Sequence, residues 1–282
     1  LKLTEADLNL LSGVNEPVSL NEVLDIYMSL ACLIEINIKE NYSLYHARQS
    51  FLNKSTKKAP YVIGIAGSVA SGKSITSRIL HKLLATITDW DVQVIGTDGF
   101  LMPTAQLEQM NLMARKGFPE SYDINALLNF LSALKSGKPN LSTPYYSHIQ
   151  YDIDPTQIIE VNQPDVVILE GLNILQTGQT NRAHQVFVSD FIDFSIFVDA
   201  PIAYLQQWYC DRIATFLKST MQDPDAFFHY LTKLPFEEVM VYANKIWREI
   251  NEPNLIDNIL PSRYRADCIL QKEVDHRVNK IL

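Results

Sequence analysis

The chain has 282 residues, 47% of them hydrophobic, 20% charged and 10% aromatic. That balance suits a globular protein with a sizeable core and excludes disordered, collagen-like and mucin-like chains. The formal net charge of −8 argues against nonspecific wrapping of nucleic acid, which needs clustered Lys and Arg.

The acidity is local. Residues 121–200 carry three basic and nine acidic side chains, while residues 61–120 balance five against five. Acids such as Asp154, Glu160 and Asp165 read as solvated surface. Cys32, Cys210 and Cys268 are odd in number and far apart, so no disulfide framework is expected and a reducing, cytoplasmic compartment is. No run approaches the roughly 18 apolar residues of a membrane span, and LKLTEADLNL has acids where a secretory signal is basic. Neither a membrane nor a nucleic acid is therefore an expected partner.

In chain order, the spacing of Leu20, Val23, Leu24, Tyr27, Leu30, Ala31 and Ile34 predicts a helix over 19–53, opened by a capping box of Ser19 and Glu22. Polar residues then lead through Pro60 into YVIGIAG, a buried strand ending in glycine. A helix over 74–85, a strand and turn at 92–99 and a helix over 123–135 follow. DVVILEG at 165–171 and FSIFVDA at 194–200 are near-continuous apolar strands, as in a parallel sheet covered on both faces. Long helices are predicted over 201–220 and 235–250. DCILQK at 267–272 reads as a last strand, at an edge, before a short helical tail.

Between the first strand and the helix after it stands Gly67-Ser68-Val69-Ala70-Ser71-Gly72-Lys73-Ser74, which matches G-x-x-x-x-G-K-[ST] at every required position. In such a loop, backbone N–H groups and a helix N-terminus cradle phosphates. Lys73 would add a cation to the transferring phosphoryl group, and the Ser74 hydroxyl a ligand for Mg²⁺. The expected architecture is an α/β, P-loop NTPase-type three-layer fold with a mainly parallel central sheet. It forms a single domain over 1–282, with a helical N-terminal extension (1–59) and a kinase core with a helical lid region (60–282).

A phosphate loop alone does not separate kinases from switches. Neither Asn53-Lys54 nor Asn244-Lys245 continues as N-K-x-D, which disfavours a GTPase. Asp98, ending the second strand, could orient or deprotonate an acceptor hydroxyl, although Asp98-Gly99 is also a good turn pair. Glu170, ending DVVILEG, could orient Mg²⁺ or merely cap a turn. Both acids fall at carboxyl ends of strands, where open α/β sheets bind ligands. Arg212, one turn after Tyr209, could be a surface residue or a lid arginine that offsets transition-state charge.

The blocks GSVASGKS at 67–74, TDGF at 97–100, KGFPESYD at 116–123, YSHIQYD at 146–152, ILEGLN at 168–173, HQVFVSDFIDFSIFVDA at 184–200 and NILPSR at 258–263 together closely resemble bacterial type I pantothenate kinase, from about residue 10 onward. The resemblance implies ATP-dependent phosphorylation of the 4′-hydroxyl of pantothenate, a homodimer, and feedback inhibition by coenzyme A at a site overlapping that of ATP. By position it implies that Lys73 and Ser74, within the loop at 67–74, serve the nucleotide and the metal, for which Glu170 also remains a candidate. Asp98 would meet the acceptor hydroxyl and Arg212 would face the γ-phosphate. Tyr146, His148, Tyr209 and Asn251 would hold pantothenate, and Arg78 with Lys116 would pair with coenzyme A phosphates. Phe216, Phe227, Phe228, Ile246 and Ile250 fall near an apolar pocket of that family, but aromatics at helical spacing also serve as plain core. Leu231 stands where the family leads one to expect a polar-tipped aromatic. Rival readings are a uridine or phosphoribulose kinase, or a nonenzymatic nucleotide switch.

Overall fold

The computed structural model describes residues 18–54, 59–177 and 186–282. Residues 1–17 of the predicted extension and residues 184–185 of the HQVFVSDF block lie outside the described residues.

Strand β1 (Tyr61–Gly67) is buried along its whole length. Parallel strands β5 (Val166–Gly171) and β6 (Phe194–Asp199) flank it. β2 (Val92–Gly96) adds outside β5 and β7 (Cys268–Lys272) outside β6, both parallel, and β8 (Val278–Ile281) closes the sheet antiparallel to β7. The order is β2-β5-β1-β6-β7-β8. The longer helices are α1 (Met28–Leu52), α2 (Lys73–Ile87), α3 (Thr104–Gln109), α4 (Ile124–Lys135), α5 (Ile202–Lys218) and α6 (Phe236–Ile246).

Alternation along the strands divides the core in two. Ile63, Ile65, Ile168 and Ile196 pack with Ile75, Ile79 and Leu83 of α2 and with Leu30, Ile34 and Ile38 of α1. Val62, Val167, Leu169 and Phe197 face the other way, onto Leu127, Leu131 and Leu134 of α4 and onto Trp247. The three-layer arrangement follows. Beside it, Leu217, Met221, Leu231 and Val239, with Phe216 and Phe228 packed against them, form a small separate core between α5 and α6. Leu231 is thus a buried packing residue. Among the described residues no helix is long and apolar enough to cross a membrane.

Several expectations need correction. β7 is not the edge and no helical tail follows it, because β8 pairs along its outer side. Ser19 Oγ accepts from the Glu22 N–H at 3.1 Å, but the Glu22 carboxylate does not close the capping box. It is buried and accepts from the Val278 N–H at 2.9 Å, tying the helical extension to β8. The predicted helix over 235–250 is overrun. After α6 the winding continues through wide turns at Trp247–Asn251 and Leu255–Ile259, and Asn251 lies in the first of them.

A hairpin of β3 (Leu141–Ser147) and β4 (Asp152–Val161), separate from the main sheet, was not legible in the sequence. Pro144, Asp152 and Pro155 oppose a strand assignment locally. The pairing tolerates them through a register shift between Pro144 and Tyr145. Asp154, expected in solvent, is buried there. Its carboxylate accepts from the Thr156 hydroxyl at 2.7 Å, the Thr156 N–H at 2.9 Å and Gln157 Nε2 at 2.7 Å. The bond from the Thr156 hydroxyl leads in holding its carboxyl below the usual carboxylate range. Asp165 is likewise engaged, accepting from the Asp91 N–H at 3.0 Å. Glu160 is exposed, as expected.

Candidate active site

The phosphate loop leaves β1 at Gly67, whose φ is 147°; a Cβ there would lie 2.5 Å from the Val198 carbonyl oxygen. Only glycine permits so close a passage past β6. The loop turns through Ala70 (φ 61°) and Gly72 (φ 93°) before α2 begins at Lys73. Left-handed backbone at an alanine costs of order 1 kcal/mol and tends to concentrate at ligand-holding loops. Lys73 Nζ donates to the Ser68 carbonyl at 2.7 Å, so its ammonium stands over the loop. A second lysine reaches the loop from outside: Lys272 on β7, 2% exposed, donates from Nζ to the Ser71 carbonyl at 3.3 Å. The buried hydroxyls of Ser68 and Ser71 have no hydrogen-bond partner among the described residues. A curled loop, two cations and orphaned hydroxyls at the start of a helix fit a polyphosphate.

Glu170, at the carboxyl end of β5, accepts from Ser74 Oγ at 3.0 Å and from Ser77 Oγ at 2.7 Å. A hydroxyl and a carboxylate held together are hard oxygen donors. They suit Mg²⁺, which binds few protein groups and keeps waters and phosphate oxygens as its other ligands.

The register pairs Gly96 with Glu170, so the tight turn Thr97–Phe100 that follows β2 sets Asp98 two residues beyond the Glu170 level. Tyr122, buried beneath this turn, donates its hydroxyl to Asp98 Oδ1 at 3.4 Å. The β3–β4 hairpin adds an aromatic wall. The Tyr146 and His148 rings meet edge to face at 5.2 Å, and Tyr146 and Tyr151 at 6.4 Å. Tyr151 packs in turn on Phe228 at 4.9 Å and Phe227 at 5.4 Å. On the helical side Tyr209 of α5 hydrogen-bonds Asn251 and lies 5.7 Å from the Trp247 ring. Burial, with the Asp98 charge adding to it, lifts Tyr146 above its ordinary range and Tyr151 to about 12. Burial first and Tyr151 next raise Tyr209. All three phenols therefore remain protonated donors at neutral pH.

Lys116, paired with Arg78 by expectation, packs instead against the β3–β4 hairpin. It is buried, donates to the Tyr151 carbonyl and to Thr104 Oγ1 at 3.2 Å, and lies 4.0 Å from the Tyr151 ring centre. Desolvation lowers its pKa, against the pull of Asp152 and Asp98. Arg78 folds back along α2, donating from Nε to the Ser74 carbonyl at 3.2 Å. The Arg212 guanidinium stands 5.1 Å from the centre of the Phe216 ring, one turn further along α5.

Sequence reasoning missed Ser77, Tyr122, Tyr151 and Lys272. Ser77 was findable as the next residue on the face of α2 that carries Ser74. Tyr122 and Tyr151 stood inside quoted blocks without an assigned role. Nothing local marks Lys272, which lies 201 residues from its Ser71 partner.

Known proteins place this geometry. The Phosphoribulokinase / Uridine kinase family matches residues 62–208. A pantothenate kinase of Coxiella burnetii is 52% identical, over 100% of this chain and 89% of its own length. The pantothenate kinase of Sodalis glossinidius is 47% identical over 100% and 90%. Among solved structures, a D-glycerate 3-kinase from Cryptococcus neoformans aligns with TM-score 0.63 at 16% identity, covering 92% of this chain and 99% of its own. Phosphoribulokinase from Rhodobacter spheroides aligns with TM-score 0.51 at 13% identity, over 76% and 71%. At such identities these two likenesses concern the fold alone. With a phosphate loop, acids at the end of β5 and just past β2 and a relative of 52% identity along its whole length, the chain belongs to the Phosphoribulokinase / Uridine kinase family and, within it, groups with the pantothenate kinases.

Proposed function

We propose that the protein is an ATP-dependent pantothenate kinase that phosphorylates the 4′-hydroxyl of pantothenate, in a single kinase domain. The observation that carries this reading is the identity of about one residue in two with pantothenate kinases from end to end. It is supported by the acceptor wall, whose tyrosines, histidine and asparagine match an acceptor bearing a carboxylate, an amide and hydroxyls.

In the proposed mechanism the loop N–H groups and Lys73 hold the β- and γ-phosphates of ATP, with Lys272 bracing the loop from β7. Ser74 and Glu170 would hold Mg²⁺, which when bound neutralises charge on phosphate oxygens. Tyr146, His148, Tyr209 and Asn251 orient pantothenate so that its hydroxyl meets the Asp98 carboxylate. Asp98 takes or orients that proton as the hydroxyl oxygen attacks the γ-phosphorus in line, and the bond to the bridging oxygen of ADP breaks. Arg212, carried on the lid helix, offsets charge on the transferring group when the lid closes over it. Feedback by coenzyme A is part of the proposal, with Arg78 pairing with its phosphates beside the loop. Lys116, held under the hairpin, would act from the acceptor side. A homodimer is proposed as well, and the exposed Leu33, Ile36 and Phe51 on α1 are consistent with it. A cytoplasmic location accords with three free cysteines.

An ATP-coupled assay with pantothenate, uridine and ribulose 5-phosphate side by side tests the acceptor. Turnover is expected with pantothenate alone. Absence of that turnover, or preference for another acceptor, overturns the reading.

A further inference from the structure

Asp98 sits on a four-residue turn, Thr97–Phe100. Three residues on, the chain is clamped to the end of the KGFPESYD block. The Met102 N–H donates to the Ser121 carbonyl at 2.9 Å and the Asp123 N–H to the Phe100 carbonyl at 2.8 Å, forming a bridge between Leu101 and Tyr122. The block is fixed in turn from two other elements, because the Gly117 carbonyl accepts from Asn173 Nδ2 at 3.0 Å and Asn254 Nδ2 at 2.9 Å. Its product is a single oriented side chain. The Tyr122 ring, 5% exposed, packs in the same core as Phe100 and Phe130, where a phenylalanine would pack equally well. A buried hydroxyl is costly without a partner. Here the partners are Asp98 Oδ1, at 3.4 Å, and the Thr97 side chain.

We propose that Tyr122 is a positioning residue for Asp98: its buried phenol holds the carboxylate by one oxygen, leaving the other to meet the acceptor hydroxyl. The proposal rests on the assignment of Asp98 to that hydroxyl. Burial foremost, and the Asp98 charge after it, raise the Tyr122 phenol well above its ordinary range, so it stays protonated and can only donate to the carboxylate. A distance of 3.4 Å is long for such a bond; catalytic bonds of this kind tighten when substrate arrives. A competitor makes the restraint useful, since the Lys116 ammonium also attracts Asp98.

The test is Tyr122→Phe, Asp98→Asn and the double variant, with kcat and both KM values measured and single-turnover rates for the slow forms. Tyr42→Phe serves as the control, because it removes a phenol donor to the Asp165 carbonyl at 2.8 Å without touching the site. Tyr122→Phe is expected to lower kcat about 10- to 50-fold with the KM for pantothenate and for ATP each within about threefold of wild type. It should lower the rate of Asp98→Asn by less than about twofold, since the two act as one unit. Tyr42→Phe should match the thermal loss of Tyr122→Phe while keeping kcat. A Tyr122→Phe enzyme with kcat within twofold of wild type, or multiplicative losses in the double variant, overturns the proposal while leaving Asp98 in its role. Full activity in Asp98→Asn instead overturns the assignment of Asp98, and the proposal with it.

Discussion

The two halves of the site are built by different means. The phosphate half is nearly contiguous: Gly67 to Ser74 supply the curled backbone, the lysine and the hydroxyl, and α2 adds Ser77 and Arg78. The proposed acceptor half draws Asp98, Lys116, Tyr122, Tyr146, His148, Tyr151, Tyr209 and Asn251 from a turn, the 116–123 block, a hairpin, a helix and a wide helical turn. Phosphate is the same in every nucleotide, and backbone N–H groups recognise it, so one short segment supplies most of this half, with Glu170 of β5 and Lys272 of β7 added to it. An acceptor carrying several distinct polar groups needs donors arriving from several directions, and only separate elements provide them.

The comparison can be broken by variants that act on one half alone. The largest effect is expected from Asn251→Ala, which removes the partner of Tyr209. The KM for pantothenate should rise about 10- to 100-fold with the KM for ATP within about twofold. Equal rises in both would mean that the halves are not separable.

Lys272→Met sharpens the other half, because it keeps the buried stem and removes the donor to the Ser71 carbonyl. The KM for ATP should rise about tenfold and that for pantothenate should not change, by initial-rate measurement. An unchanged KM for ATP would show the loop to be self-sufficient.

The smallest effect concerns the turn behind that lysine. His276 stacks on Trp208 at 4.1 Å, and its pKa is lowered to about 4 by burial first and the Lys272 charge second. Between the ordinary value of 6.5 and about 4, the unfolded chain binds a proton that the folded one refuses, so stability falls as pH falls through that window. With the ring only half-buried, the loss is about 1–2 kcal/mol. Urea melts at pH 7 and 4.5 should show His276→Gln losing less on acidification than wild type. Equal losses would remove His276 from the account.

The legibility of the site follows the same division. Glycines at 67 and 72 and the Lys73-Ser74 pair announce the loop because each required conformation is local. β1, β5 and β6 were legible for a related reason: strands covered on both faces are apolar throughout. The hairpin was hidden, since prolines and acids interrupt its pattern and its stability comes from pairing and from Asp154 turned inward. The edge was misassigned at β7 because β8 is four residues long, with only Val278 buried. Tyr122 and Lys116 lay in a quoted block, yet neither partner could be read from it.

By itself, then, the sequence determined that a phosphate loop follows a buried strand in a parallel α/β sheet, with acids at the ends of two further strands. It also carried the resemblance that pointed to the acceptor. Tertiary structure alone decided that Lys116 packs against the β3–β4 hairpin, that Lys272 braces the loop from β7, and that Tyr122 reaches Asp98. Those contacts span 12 to 201 residues of chain, and each depends on how separate elements pack rather than on any local preference.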